Sequence, residues 1–252
     1  MIHIKKDSTP PNILIKNKDN WTKELEDNIK YYGEYKKIPS NIKNSMWKYY
    51  RHEDIKKKLF ASSYQKCAFC ESKPAESGNI EVEHFKPKSL YPELAFDWEN
   101  LLPVCRRCNN SKSDHDTGKE PIVDPSHDDP EKIFTYNFLN IIPLDDKDEI
   151  AHRTIEICDL NSERLFEVRA KLLKALSSYE SQVKAWIKEI ENADTEIKKR
   201  NKINKLRDSI EILEKLTYPE ETYSGFSRYY INQSKEYQKA KKIINNFYTI
   251  LD

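Results

Sequence analysis

Apolar positions recur at helical spacing through both ends of this chain and break into short runs in between. Trp21, Leu25, Ile29 and Tyr32 fall three or four residues apart, with Asp19 or Asn20 available as N-cap, and predict a first helix near 20–35. Pro39-Ser40-Asn41 interrupts it; Ile42, Met46 and Tyr49, then Ile55, Leu59 and Tyr64, predict one or two more helices. Between Cys67 and Gly118 the apolar runs shorten to Ile80–Phe85 and Leu101–Val104, set among Pro, Gly and Asn, which marks a compact module. Residues 119–150 are acidic and punctuated by Pro121, Pro125, Pro130 and Pro143, the character of an ordered connector rather than a Gly/Ser tether. From Leu165 the steps of three and four through Val168, Leu172, Leu176, Tyr179, Val183, Trp186 and Ile190 predict one long amphipathic helix. Ile203, Leu206, Ile210 and Leu213 predict a second that folds back on it, with a third near 226–250.

Composition narrows the class. The 252 residues are 34% charged and 37% hydrophobic, yet 15 Tyr, 9 Phe and 4 Trp can fill a core, so wholesale disorder is not expected. Four Gly against 12 Pro argue against glycine-rich phosphate loops and against a large sheet. No apolar run approaches the ~18 residues of a membrane span. The start, Met1 to Lys6, lacks a secretion signal's apolar stretch, so a soluble cytoplasmic protein with no membrane partner is expected. Net charge is +1 but uneven: residues 1–60 hold 14 Lys and Arg against 8 acids, whereas residues 120–160 hold 3 against 11. The run Lys198, Lys199, Arg200, Lys202, Lys205 and Arg207 reads first as a solvated helix face.

The strongest chemical signal is Cys67-Ala68-Phe69-Cys70 followed by Cys105-Arg106-Arg107-Cys108. Two C-x-x-C pairs supply four thiolates, a closed tetrahedral set for structural zinc with no open catalytic position. A disulfide pair is disfavoured in a reducing compartment, and a thioredoxin-like redox motif by the doubled pair and the lack of a βαβ context. Cys158 lies outside the set and reads as a buried thiol. The span between the pairs is longer than a simple zinc ribbon allows, so something is inserted within the staple.

The insertion carries Glu81, Glu83-His84 and Pro87 after a short strand, Asn100 before a second strand, and Asn109 and Lys112 in a helix opened by the second cysteine pair. This ββα-metal arrangement resembles the HNH endonuclease family, with His84, Asn100 and Asn109 at its three signature positions; the last is Asn where other members carry His. Phosphodiester hydrolysis needs a base for the attacking water and a divalent ion to offset growing negative charge. His84 suits the base; Glu83 and the side-chain oxygen of Asn109 suit Mg²⁺ or Mn²⁺, with Glu81 the spare carboxylate. Neighbours on a regular strand face opposite ways, so Glu83 and His84 can share a site only where the strand bends or ends. The resemblance implies that Asn100 ties the loop down and orients His84. Lys112, and with it Arg106, Arg107, Lys86 and Lys88, are candidates to receive phosphates. His115 between Asp114 and Asp116 reads as a solvated turn, and Phe96 and Trp98 as core.

A broader likeness covers roughly the first 135 residues, through Glu83-His84-Phe85-Lys86-Pro87-Lys88, Asp97 to Leu102 and Ile122-Val123-Asp124-Pro125. These segments look like the HNH nuclease subunits of Septu and retron-associated antiphage systems. That likeness implies a nucleic-acid substrate, DNA ahead of RNA, a PtuA-like ATPase partner and, in retron operons, a reverse transcriptase with its msDNA.

The expected fold is therefore mainly α around a small zinc-stapled ββα-metal core, with a C-terminal helical bundle. The divisions fall at 1–60 for an N-terminal helical segment, 61–125 for the nuclease core, and 126–252 for connector and bundle. Two rivals stay open: a non-catalytic zinc module that binds nucleic acid or protein, and a stand-alone HNH restriction or nicking enzyme. Residues 67–119 carry seven Lys and Arg against nine acids, so phosphate affinity has to draw on the N-terminal segment, the 195–207 helix or a partner, the partner and N-terminal segment ahead of the helix.

Overall fold

A computed structural model of the chain describes residues 1–73 and 79–249. Helix α1 (Asn12–Tyr32) begins a full two turns before the expected start. Asp19 and Asn20 lie inside it, because Pro11, at φ −56°, already holds the torsion a helix start needs, and its carbonyl accepts from the amides of Leu14 and Ile15. Gly33, at φ +86°, ends it in the left-handed region where a side chain would be strained. Pro39 likewise precedes α2 (Ser40–Tyr50), and His52 caps α3 (Glu53–Ala61) by accepting from the Asp54 amide. Two helices, not one, thus lead into the first cysteine pair.

Strands β1 (Ile80–His84) and β2 (Leu101–Cys105) pair antiparallel, from Ile80 opposite Cys105 to His84 opposite Leu101. Helix α4 (Arg106–Lys112) follows β2 directly, Cys105 serving as its N-cap position. Leu14, Leu25, Met46, Tyr50, Ile55 and Leu59 from the three N-terminal helices share one core with Val82, Phe96, Trp98 and Leu101. Burying a side chain of this size contributes about 1.5–3 kcal/mol, so the helices and the ββα element stabilise one another. Phe96 and Trp98 are core residues, as expected. The extended segment before α1 is tied in as well: the Ile4 amide donates to the Pro125 carbonyl, and Lys6 Nζ donates to the carbonyls of Trp98 and Glu99.

The acidic connector is ordered and holds structure the sequence did not announce, a two-stranded sheet of β3 (Phe134–Asn137) and β4 (Asn140–Pro143). Helix α5 (Glu149–Ile157) follows, capped by Asp148. Two compact units result, one of residues 1–135 with 141–161 and one of 136–140 with 162–252. The divisions expected at 60 and 125 differ from these, because the shared apolar core joins the N-terminal helices to the cysteine module.

The second unit is a helical bundle. Helix α6 (Glu163–Glu191) and helix α7 (Glu196–Lys215) run back to back, with Lys202 bonded to Glu189 at 2.9 Å and Lys205 5.2 Å from the Trp186 ring. The basic run on α7 is largely matched inside the bundle, since Lys198 also meets Asp194 at 2.9 Å and Arg207 donates to the Tyr248 hydroxyl. The single helix expected near 226–250 is two, α8 (Ser224–Gln233) and α9 (Lys235–Thr249). Ser234 separates them: its backbone is extended, and its hydroxyl accepts from the Tyr237 amide and donates to Glu180. The fold class is as expected, mainly helical with a small ββα core and a C-terminal bundle. Among the described residues no helix is long and apolar enough to cross a membrane.

Candidate active site

Both cysteine pairs converge. The sulfurs of Cys67, Cys70, Cys105 and Cys108 are buried and lie within 4.8 Å of one another, a cluster able to hold a metal ion. Four sulfurs on tetrahedral zinc at ~2.3 Å would sit about 3.8 Å apart; Cys70 and Cys105 are 3.7 Å apart. Hydrogen bonds from the surrounding thiols push the Cys105 thiol down, while burial pushes Cys67 up and the same shared bonds push Cys108 up. The first pair sits in a turn closed by the Glu71 amide on the Cys67 carbonyl, and the Ala68 amide ties that turn to Pro103 of β2. Cys158 is buried and outside the cluster, and burial pushes its thiol up.

Strand β1 and helix α4 meet through matched spacings. Residues two apart on a strand lie about 6.6 Å apart, and residues three apart on a helix advance about 4.5 Å. Asn109 therefore reaches Glu81 while Lys112 reaches Glu83, at 2.7 and 2.8 Å. The Glu81 carboxylate can only accept, so the Asn109 amide group faces it and Asn109 Oδ1 is left free of that bond. Lys112 binds Oε1 of Glu83 and also donates to the His84 carbonyl, which leaves the second oxygen of Glu83.

Lys112 thus corrects the expectation of a phosphate contact. It is fully buried, because the carboxylate of Glu83 is itself nearly enclosed and needs a countercharge. Removing one member of a buried pair costs about 3–5 kcal/mol. Lys112→Ala is accordingly expected to lower the thermal unfolding midpoint sharply, whereas a lysine that only touched phosphates would leave the melt unchanged.

His84 is the last residue of β1, and at this strand end it and Glu83 line the same cavity. Its Nε2 lies 2.9 Å from the Ala95 carbonyl, which can only accept, so Nε2 carries the proton. Its Nδ1 is buried with no hydrogen-bond partner among the described residues. The Tyr50 ring packs edge-on at 4.6 Å. Burial first, then the charges of Lys88, Lys112 and Arg51, hold the imidazole well below its usual range, so it stays neutral.

Asn100 does hold the loop: its Oδ1 accepts from the Lys86 amide, and its Nδ2 donates to the carbonyls of Lys86 and Leu94. None of these bonds goes to His84. The orienting bond comes from the Ala95 carbonyl one residue beyond Leu94, so Asn100 acts through the loop it braces. A backbone acceptor carries no sequence signal, which is why this partner was not legible.

Glu83, His84 and Asn109 line one cavity of about 510 Å³. Lys88 lines it too; Arg106 and Arg107 are exposed on α4 and Lys86 packs over the Tyr91 ring, all three outside that lining. Unannounced by any motif, Tyr35, Lys36 and Lys43 reach the same cavity from the N-terminal segment. His115 Nε2 donates to the Glu120 carbonyl, Asp116 accepts from the Tyr91 hydroxyl, and Asp114 meets Lys36, so these three form no metal cluster.

Residues 67–115 match the HNH endonuclease family. Two curated relatives, both Septu protein PtuB, are similar to the chain: that of Bacillus thuringiensis is 38% identical over 64% of this chain, and that of Bacillus mycoides is 27% identical over 53% of it. The chain spans about half the length of these relatives, 55% and 56% respectively. The likeness read from the sequence is shared by both comparisons.

Proposed function

We propose that this chain is a metal-dependent HNH endonuclease that hydrolyses phosphodiester bonds of nucleic acid, working as the nuclease subunit of a Septu-type antiphage complex with a PtuA-like ATPase partner. The observation that carries the reading is the state of His84: one nitrogen tied to a backbone carbonyl, the other unpartnered, on a cavity shared with Glu83 and Asn109. A non-catalytic zinc module needs none of these three.

The cysteine cluster would hold zinc as a structural staple. The donor set at the cavity, a carboxylate oxygen of Glu83 and Oδ1 of Asn109, is hard and oxygen-only, which fits Mg²⁺ or Mn²⁺. When bound there, such an ion would supply positive charge for the phosphate and the leaving oxygen. His84 Nδ1 takes a proton from the attacking water as the water's oxygen bonds to phosphorus. The bond from phosphorus to the leaving sugar oxygen breaks, and that oxygen takes its proton from solvent. Lys112 holds Glu83 in place, Glu81 holds the amide of Asn109, and Asn100 braces the loop carrying the Ala95 carbonyl.

Lys36 and Lys43 support the expectation that phosphate affinity comes from outside the acidic 67–119 module, since both belong to the N-terminal segment and line the cavity. The test is cleavage of duplex DNA, single-stranded DNA and structured RNA in Mg²⁺ and in Mn²⁺, by protein purified with and without its operon neighbours. Metal-dependent cutting of DNA, stronger with the ATPase subunit, is the expected result. No cutting of any substrate under any of these conditions would overturn the reading.

A further inference from the structure

Lys88 is the one candidate phosphate contact of the nuclease motif that reaches the cavity, and its surroundings set it apart from Lys112 and Lys36. It lines the cavity with Glu83 and His84. Among the described residues no carboxylate lies within ion-pair distance of it, whereas Lys112 is bonded to Glu83 at 2.8 Å and Lys36 meets Asp114 at 3.5 Å. Its ammonium rests instead on aromatic faces contributed by α2, 5.5 Å from the Tyr50 ring centroid and 6.0 Å from that of Trp47.

Those rings do more than shelter a charge. Tyr50 is buried and also packs edge-on against His84, so one rigid ring sets both the imidazole and the ammonium. A half-buried cation with no carboxylate bonded to it is costly in the free protein, and π faces offset only part of that cost. Such an arrangement is stable against an anion that arrives with the substrate.

We propose that Lys88 is a catalytic residue of this nuclease, binding a non-bridging oxygen of the scissile phosphodiester, and that Trp47 and Tyr50 of helix α2 pre-position it. The inference rests on the nuclease reading and adds the protein's own cation to it. As water attacks phosphorus, negative charge grows on the non-bridging oxygens, and a fixed ammonium favours that state over the bound substrate. Lysine suits the task, since a compact charge meets one oxygen without needing the paired geometry of a guanidinium. The N-terminal helices, absent from the ββα motif, thereby become part of the catalytic apparatus.

Two opposite effects of one substitution test this. Lys88→Met keeps the length and apolar stem between the two rings and removes the unpaired charge. Cleavage at saturating substrate is expected to fall about 10²-fold, while the thermal midpoint stays equal to that of the wild type or rises. Lys88→Arg, which returns the charge in a different shape, is expected to recover part of the rate. Lys198→Gln, on α7 of the other unit, serves as control and is expected to match the wild type in both measurements. The assay uses the full chain with any subunit that co-purifies, a single-turnover DNA substrate and Mg²⁺. A Lys88→Met protein that cuts at the wild-type rate overturns the inference. One that melts lower overturns it too, since Lys88 would then be a structural group. A wild-type protein inert on every substrate strikes the nuclease reading itself, and is distinguished by the wild-type lane alone.

Discussion

Replacing His84 by alanine is expected to slow phosphodiester cleavage by about 10²–10⁴-fold, the range lost when a positioned general base is removed. The geometry gives the reason. The Ala95 carbonyl accepts from Nε2–H, and Nδ1 is left as the imidazole's unpartnered basic nitrogen, on a side chain that lines the cavity with Glu83 and Asn109. Burial keeps that nitrogen unprotonated near neutral pH, so no proton has to be shed before it can act. The loss should fall on the rate at saturating substrate more than on binding, because the imidazole carries no charge for the phosphate to meet. His84 also fills space against Tyr50, so alanine opens a small void; His84→Asn, which keeps more of the volume, should show the same loss of rate with less loss of stability. Single-turnover cleavage paired with a thermal melt measures both. An alanine variant that cuts as fast as the wild type would show that some other group takes the proton.

Cys67→Ser or Cys105→Ser should abolish the folded first unit rather than weaken it. These sulfurs join the turn after α3 to the junction of β2 and α4. Cys67 opens the turn after α3, and Cys105 ends β2 and begins α4, the helix that carries Asn109 and Lys112. Without the staple the first turn is held to β2 mainly by the Ala68–Pro103 bond, and α4 loses its anchor at one end. Structural zinc sites of this kind contribute on the order of 10–16 kcal/mol of apparent binding free energy near neutral pH, more than the whole stability of an ordinary domain. Metal analysis of the wild type is expected to find one zinc per chain, and a strong chelator to melt the unit. Cys158→Ser, by contrast, should keep the metal, because that thiol is buried outside the cluster. A cysteine-cluster variant that stays folded and monomeric at room temperature, with no zinc in the wild type, would count decisively against the staple.

The sequence by itself determined the parts of this protein whose physics is local or whose chemistry is rigid. Four thiols at two C-x-x-C spacings have few arrangements, and the structure brings their sulfurs within 4.8 Å. The three-and-four stepping of Leu165 to Ile190 has one reading as an amphipathic helix, and α6 covers it. The motif pointed to Glu83, His84 and Asn109, three residues that line one cavity, while Asn100 lies outside that lining. What it could not decide were relations between distant residues. Lys112 reads as a surface cation until the register of β1 against α4 buries it on Glu83. Asp19 and Asn20 look like caps until Pro11 supplies an earlier start. The partner of His84 is a backbone carbonyl, identical at every residue, and only the fold of the 85–95 loop selects Ala95. Lys36, Lys43 and the Tyr50 ring lie more than thirty positions before His84 and follow no motif; packing of α2 on the ββα core brings them to the cavity. Side-chain chemistry and helical period are properties of short segments, whereas burial, countercharge and cavity lining belong to pairs of segments, and those pairs exist only once the apolar core has closed.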